Sequence, residues 1–464
     1  VFHSEDRSWY TCVTPDVAEI IVEEHLVRGN QVRDYSYPPV SDEFGFIEPQ
    51  RRREHRGRHD RGKYMRFAQV RRWKIKFFLC VLFLVATLVI ACNKTSPLGS
   101  SACGQKYDPT IDYFPAKVSV NYATGFDVEY YKHYKVVTVK NPWRNANTGF
   151  QYVLVQCGAP VPPDFLETQV ITVPVNSVIS LSTTHLPHLA KLGVVDKLIG
   201  VSDFKQVNTA EVISRIKAGK ITEVGRNNNV NIEQILDLNP DLITTYAVGN
   251  SQSDSYPQLV DAGLKVAINT EYMENSPLGR TEWMKFTALF FNQEEIAEKL
   301  FSEIARKYEE IAQTTKSINN RPSVFVGFNF KGTWYMPGGN SYVAKYLNDA
   351  GANYLWNNDN TSGSLPLSFE IILERAANAD YWLNFSQAWQ NLTDLLNADN
   401  RYGDFQAVKI GNLYNNDARL NENQGNDYWE GGISNPDVVL ADLIKIFHPD
   451  LLPNHQFVYY RKLT

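Results

Sequence analysis

Residues 221–245 read ITEVGRNNNVNIEQILDLNPDLITT, and this run sets the fold class. It opens as a short extended piece, turns at Gly225-Arg226-Asn227, and continues as a brief helix and a buried strand. Ile232, Ile235 and Leu236 share one helical face, and Asn231 stands where a side-chain oxygen caps the first turn. Asn239-Pro240 stops the helix, because a residue before proline is driven out of the helical region. Asp241 to Thr245 then has the texture of a strand. Glu233 falls in the first turn of the helix, off the apolar face, so it should point to solvent.

The alternation continues on both sides. TQVITVPVNSVISLS, from Thr168, reads as a strand, a crossing segment and a second strand, followed by the loop Thr183-Thr184-His185. A helix around Leu189 and Leu192, the strand LIGVS, the helix YPQLVDAG and the strand LKVAIN complete an α/β unit. From Asn292 the chain predicts one long helix over residues 292–318. Asn292 and Glu295 make a capping-box start, and Ile296, Leu300, Ile304, Tyr308 and Ile311 line one face over about 39 Å. RPSVFVGFNF restarts a strand and opens a second α/β unit. There SFEIILERAANADYWLNF repeats the plan of NIEQILDLNPDLITT, with a short helix, a carboxylate in its first turn and then a strand. Glu370 is the counterpart of Glu233. Two similar lobes, 168–291 and 319–464, joined by the helix 292–318, suggest a clamp with its ligand between the lobes.

The 464 residues are 43% hydrophobic, 12% aromatic and 21% charged, which suits a globular chain of several domains. The net charge of −5 hides an asymmetry: 15 Lys and Arg against 12 Asp and Glu up to Lys76, then 31 against 39. An acidic body with its cations gathered ahead of one apolar run argues against a nucleic-acid partner. Residues 1–64 lack periodicity and end in a basic run, so they read as a non-native or disordered extension. Over 65–91, Arg66, Arg71, Arg72, Lys74 and Lys76 precede an apolar stretch of 15 residues, Phe77 to Ala91, short of the roughly 20 that span a bilayer. It ends in Val89-Ile90-Ala91-Cys92, which resembles the lipobox of bacterial lipoproteins. On that reading translation starts at Met65, the segment 65–91 is an export signal and Cys92 carries the lipid. Residues 92–106 form a small-residue linker. Residues 107–167 hold the alternating runs KVSVNY, FDVEYY, YKVVTVK and FQYVLVQ, read as antiparallel strands. No cysteine or histidine cluster has metal-ligand spacing, and Cys103 and Cys157 are left as a candidate disulfide.

Taken in order, these pieces resemble the iron-siderophore and cobalamin substrate-binding proteins of ABC importers. The strand with its Ser/Thr loop, EVGRNNNVNIEQILDLNPDLI, the long helix, WYMPGGNS and LSFEIILERAANADYWL carry the resemblance, over residues 169 to about 449. It implies two Rossmann-like lobes bridged by one rigid helix, preceded here by a small β-strand segment that is no part of the pattern. It also implies that Glu233 and Glu370, one per lobe, dock onto arginines of a membrane permease that works with an ATPase. The ligand cleft would draw on Ser182, Thr183, His185, Arg226 and Tyr246 of lobe 1, and on Trp334, Tyr335, Ser341, Trp389, Trp429 and Glu430 of lobe 2. Arg226 suits the oxygens of an anionic ferric chelate, and the aromatics suit a large, flat ligand. Cobalamin or haem held in the same way is the alternative cargo, and a ligand sensor or metalloenzyme on this scaffold the alternative class. GxSxG, HExxH and P-loop motifs are absent, so neither catalysis nor a resident cofactor is expected, although the cargo would carry iron or cobalt. The expected location is periplasmic, lipid-anchored to a bacterial membrane.

Overall fold

The computed structural model describes Phe2–His3, Ser8–Trp9 and residues 106–464 apart from 145, 147 and 251–253. The chain divides into two compact units, Val1–Gln105 and Lys106–Thr464. In the first, Phe2–His3 and Ser8–Trp9 pair antiparallel. The basic run, the segment read as an export signal, Cys92, the linker up to Gln105 and Cys103 lie outside the described residues.

The second unit opens with a four-stranded sheet. β1 (Phe126–Tyr130), β2 (Tyr134–Val139) and β3 (Phe150–Gln156) run antiparallel, as their alternation predicts. β4 (Val170–Val173) then adds to β3 in parallel, so the first strand expected of lobe 1 belongs to this sheet. KVSVNY, expected as a strand, is not one. Its backbone N–H groups go instead to side chains: Val118 donates to the Tyr130 hydroxyl (3.1 Å), Ser119 to the Glu298 carboxylate (3.2 Å), and Asn121 and Tyr122 to that of Glu282 (3.0 and 2.6 Å). An isolated apolar alternation cannot tell a sheet neighbour from such acceptors. Phe126, Val137 and Leu154 share one core with Leu186, Leu189 and Trp283, so the segment packs directly on lobe 1.

Lobe 1 is a parallel sheet of β5 (Val178–Ser180), β6 (Leu198–Val201), β7 (Thr222–Glu223), β8 (Leu242–Thr245) and β9 (Val266–Ile268), in the order β9-β8-β5-β6-β7. Its helices include α1 (Leu186–Lys191), α2 (Ala210–Lys217) and α3 (Ile232–Leu238). In α3 the Asn231 side chain accepts from Gln234 N–H at 3.1 Å, and Asn239 ends the helix at φ 46°. Ile235 is buried, whereas Leu236, assigned to the same face, is exposed.

Two helices follow, α4 (Pro277–Leu289) and α5 (Glu294–Gln313). The long helix is therefore shorter at both ends than its sequence predicts. Asn292 lies at φ 53°, and its side-chain oxygen accepts from the buried Lys135 ammonium (2.9 Å) instead of capping. Lys135 also pairs with Glu294 at 2.6 Å. Ile296 is exposed, and Ala297, Phe301, Ile304, Ala305 and Tyr308 form the buried face. Ala297 and Ile304 join the core of lobe 1, and Phe301, Ala305 and Tyr308 that of lobe 2. α4 is divided in the same way, with Leu278 in the second core and Trp283 and Phe286 in the first. Two packed helices thus share both cores where one was expected to.

Lobe 2 holds β10 (Ser323–Val326), β11 (Asn353–Tyr354), β12 (Tyr381–Leu383), β13 (Leu413–Asn415) and β14 (Arg461–Lys462), in the order β11-β10-β12-β13-β14; all neighbours are parallel except β14. A small antiparallel sheet (329–330, 333–337, 364–367) flanks it. α6 (Tyr342–Asp349), α7 (Phe369–Ala376) and α8 (Pro436–Phe447) pack on these strands. The internal echo has a structural signature beyond its helices. The Asp241 carboxylate accepts from Asn176 N–H and Ser177 N–H, and Ser177 Oγ accepts from Asp241 N–H (2.9 Å). Asp380 and Ser323 make the same clasp in lobe 2, with Asp380 N–H donating to Ser323 Oγ at 3.0 Å. Each clasp ties the start of a first strand to the strand that follows the echoed helix.

Candidate functional site: the seam between the lobes

In an open parallel sheet, loops at the carboxyl ends diverge where the strand order reverses, and the crevice so formed receives ligands. In lobe 1 that point lies between β5 and β8, and in lobe 2 between β10 and β12. Ser182, Asp203, Arg226 and Tyr246 follow β5, β6, β7 and β8, so parallel pairing places all four along one edge.

Ser182 precedes the turn Thr183–His185; its Oγ accepts from Thr184 N–H and lies 2.9 Å from Thr184 Oγ1. Thr183 is half-buried in that turn. His185, expected at the cleft, turns inward instead. It is buried, its Nδ1 lies 3.2 Å from Thr244 Oγ1, and loss of solvent lowers its pKa to about 3. Arg226 stays 62% exposed, its Nη1 3.6 Å from Asp203 Oδ2. Tyr246 donates from its hydroxyl to Asn227 Oδ1 at 2.9 Å, and burial raises its pKa. Leu181, Asn227, Thr245, Tyr246 and Asp254 line a small recess at this switch point. Asp254 organises its wall by accepting from Val248 N–H and Gly249 N–H.

Lobe 2 sorts the expected residues differently. Trp334 is fully buried; its indole donates to Val326 C=O at 2.9 Å and packs among Phe325, Trp382 and Phe369. Trp389 is buried against Phe328, Trp382 and Phe385. Ser341 caps α6, accepting from Ala344 N–H (3.2 Å) and donating to Gly338 C=O (2.7 Å). These three serve the core and a helix end rather than the cleft. Tyr335 is half-buried on the flanking sheet, opposite Pro366. Trp429 is 46% exposed, its ring edge-on to Tyr428. Arg419, which sequence reasoning missed, is 57% exposed and pairs with Asp427 at 2.7 Å.

The arm of residues 419–430 crosses to lobe 1. Asn421 Nδ2 donates to Lys205 C=O (3.0 Å) and Val207 C=O (3.1 Å), and the buried Glu430 carboxylate accepts from Asn208 and Thr209. Glu430 therefore joins the lobes and does not face a ligand. Nearer α4, Arg280 pairs with Glu271 at 2.6 Å and lies over the Tyr342 ring, in a recess shared with Tyr346 and Tyr428. Asp203 and Arg419 could have been found from the sequence by taking every residue that follows a parallel strand. Asn421 has no such signal.

Away from the seam, Glu233 is exposed in the first turn of α3, as predicted. Glu370 is exposed in the first turn of α7, where bonds to its own backbone N–H and to Ser368 lower its pKa, and Arg401 stands 3.7 Å away. Cys157 is disulfide-bonded. Among the described residues, no group of three or more His, Cys, Asp or Glu is placed to hold a metal ion, and no helix is long and apolar enough to cross a membrane.

An uncharacterized lipoprotein of Methanocaldococcus jannaschii is 30% identical over 338 residues, covering 68% of this chain and 76% of that one. The crystal structure of a possible iron-binding (periplasmic solute-binding) protein from Staphylococcus epidermidis is similar at a TM-score of 0.46 and 20% identity, over 59% of this chain and 98% of that one. A periplasmic heme-binding protein from Pseudomonas aeruginosa is similar at 0.46 and 19% identity, over 62% of this chain and 98% of that one. Residues 178–420, just over half of the chain, match the periplasmic binding protein family. With that match, and a 30% identical relative over 68% of this chain and 76% of its own length, the chain belongs to the periplasmic binding protein family.

Proposed function

We propose that the chain is the receptor of an ABC importer, taking an anionic metal chelate of the ferric-siderophore kind into the seam and passing it to a permease and its ATPase. One observation carries the reading. Each lobe presents one arginine on a loop that follows its parallel strands, Arg226 and Arg419, each more than half exposed and each oriented by a carboxylate. A guanidinium so placed keeps donors free for chelate oxygens, and Trp429, 46% exposed on the same arm as Arg419, offers an aromatic face. Ser182, Thr183, Tyr246 and Tyr335 complete the set we assign to ligand contact. Glu233 and Glu370, exposed on echoed helices, are the residues we assign to permease docking. Lipidation at Cys92 would hold the receptor at the membrane, in keeping with the lipoprotein name of its methanogen relative.

Titration of the full chain with ferric siderophores, haem and cobalamin, read by tryptophan fluorescence, tests the cargo. Saturable quenching by a ferric chelate supports the reading. Quenching by haem or cobalamin alone moves the cargo to the alternative, and no response to any of them removes the chelate class.

A further inference from the structure

Glu430 lies at the base of the arm that carries Arg419 and Trp429, yet it engages the other lobe. Its carboxylate accepts from Asn208 N–H (2.8 Å), Thr209 N–H (2.7 Å) and the Thr209 hydroxyl (2.5 Å). Thr209 is the residue that opens α2, so a side chain of lobe 2 satisfies N–H groups left free at a helix start in lobe 1. Glu430 is 1% exposed. Farther along the same arm, Asn421 holds the carbonyls of Lys205 and Val207, so residues 205–209 are gripped at both ends. Those residues continue the loop of Asp203, which orients Arg226.

We propose that Glu430 is a proton-linked positioning residue, latching the cleft-bearing arm of lobe 2 onto the start of α2 so that lobe opening must break its bonds. The inference concerns the lobes alone and does not depend on the cargo. On the lobe 1 side Glu430 meets Asn208 and Thr209; on its own arm the charged neighbour is Asp427, itself paired with Arg419.

Removal from water raises its pKa from 4.5 to about 7; Asp427 pushes the same way, and the three donors pull back. The docked carboxyl therefore holds its proton more tightly than the undocked one, which has returned to water. Docking gains this proton-linked share fully below pH 4.5 and loses it as the pH rises through about 7. The difference corresponds to a docked-to-undocked ratio that changes on the order of 100-fold across that window.

Amide hydrogen exchange of the ligand-free full chain tests this, read over residues 205–213 and corrected for intrinsic rates. In the wild type, protection of Asn208 and Thr209 should fall about tenfold or more between pH 5 and pH 8, while the interior of α8 stays constant. Glu430→Gln should flatten that profile. Thr209→Val removes a donor that favours the ionised form, so its transition should move to higher pH. A pH-independent wild type, a Glu430→Gln variant that keeps the profile, or an unmoved transition in Thr209→Val would each overturn the proposal. If Glu430→Gln does not fold, the wild type and Thr209→Val decide. Because ligand is absent, failure here leaves the cargo reading intact.

Discussion

Replacing Glu282 by Ala probes how firmly the β-rich segment belongs to the receptor. Glu282 is fully buried on α4, and its carboxylate accepts from three successive backbone N–H groups, those of Asn121, Tyr122 and Ala123. It also pairs with Lys285, equally buried, at 3.0 Å. Alanine leaves those N–H groups without an acceptor and strips one partner from a buried ammonium. Lys285 keeps Ser119 C=O and Glu298, which limits the loss. Removing one member of a buried, hydrogen-bonded charge pair costs about 3–5 kcal/mol. Glu282→Gln, which keeps one acceptor and the volume, should cost less, about 1–3 kcal/mol. Urea denaturation followed by the fluorescence of Trp283, the next residue on α4 and part of the lobe 1 core, reads the global effect, and amide exchange over 119–125 reads the local one. Both variants should expose 119–125 to exchange first. An alanine variant within about 0.5 kcal/mol of wild type, with unchanged exchange there, would mean that the carboxylate does not hold the segment.

Charge reversal of Glu233 and Glu370 together should reduce transport by the reconstituted importer to background while leaving chelate affinity unchanged; transport that survives would refute the docking assignment. His185 and His188 are both buried with pKa values lowered to about 3 from 6.5, so each contributes stability that is full above pH 6.5 and lost as the pH falls toward 3. Urea midpoints should therefore drop through that range, and His188→Leu should make the slope measurably shallower than in the wild type; an unchanged slope would contradict it. Non-reducing peptide mapping should recover Cys157 joined to Cys103, and a link to another cysteine would refute that pairing.

Much of the lobe architecture was legible because each echoed helix carries its own cap, apolar face and stop. Asn231 and Ser368 cap as their residue types predict, and Ile235 and Ile372 are both buried. The ends of the long helix were misjudged for a tertiary reason. Asn292 is recruited by Lys135, 157 positions earlier, and nothing local to Asn292 announces that partner. The cleft was read less well because a residue type does not state its direction. Trp334, Trp389 and His185 have the composition of ligand contacts and are buried in their lobes, whereas Arg419 looked ordinary and stands exposed. Glu430 shows the same limit: an acid late in the chain meets a helix start 221 residues before it. The KVSVNY run failed because alternation reports burial of every second residue, not the identity of the hydrogen-bond partner.

Under the proposed function, cargo binds at the seam, against one arginine from each lobe. Calorimetric titration of a ferric siderophore into wild type, Arg226→Ala, Arg419→Ala and the double variant tests it most directly. Each single change should weaken binding about tenfold, as expected for a charge-assisted hydrogen bond worth about 1.5 kcal/mol or more, and the double change should weaken it further. Binding of the chelate that is indifferent to both substitutions would place the cargo elsewhere and contradict the account.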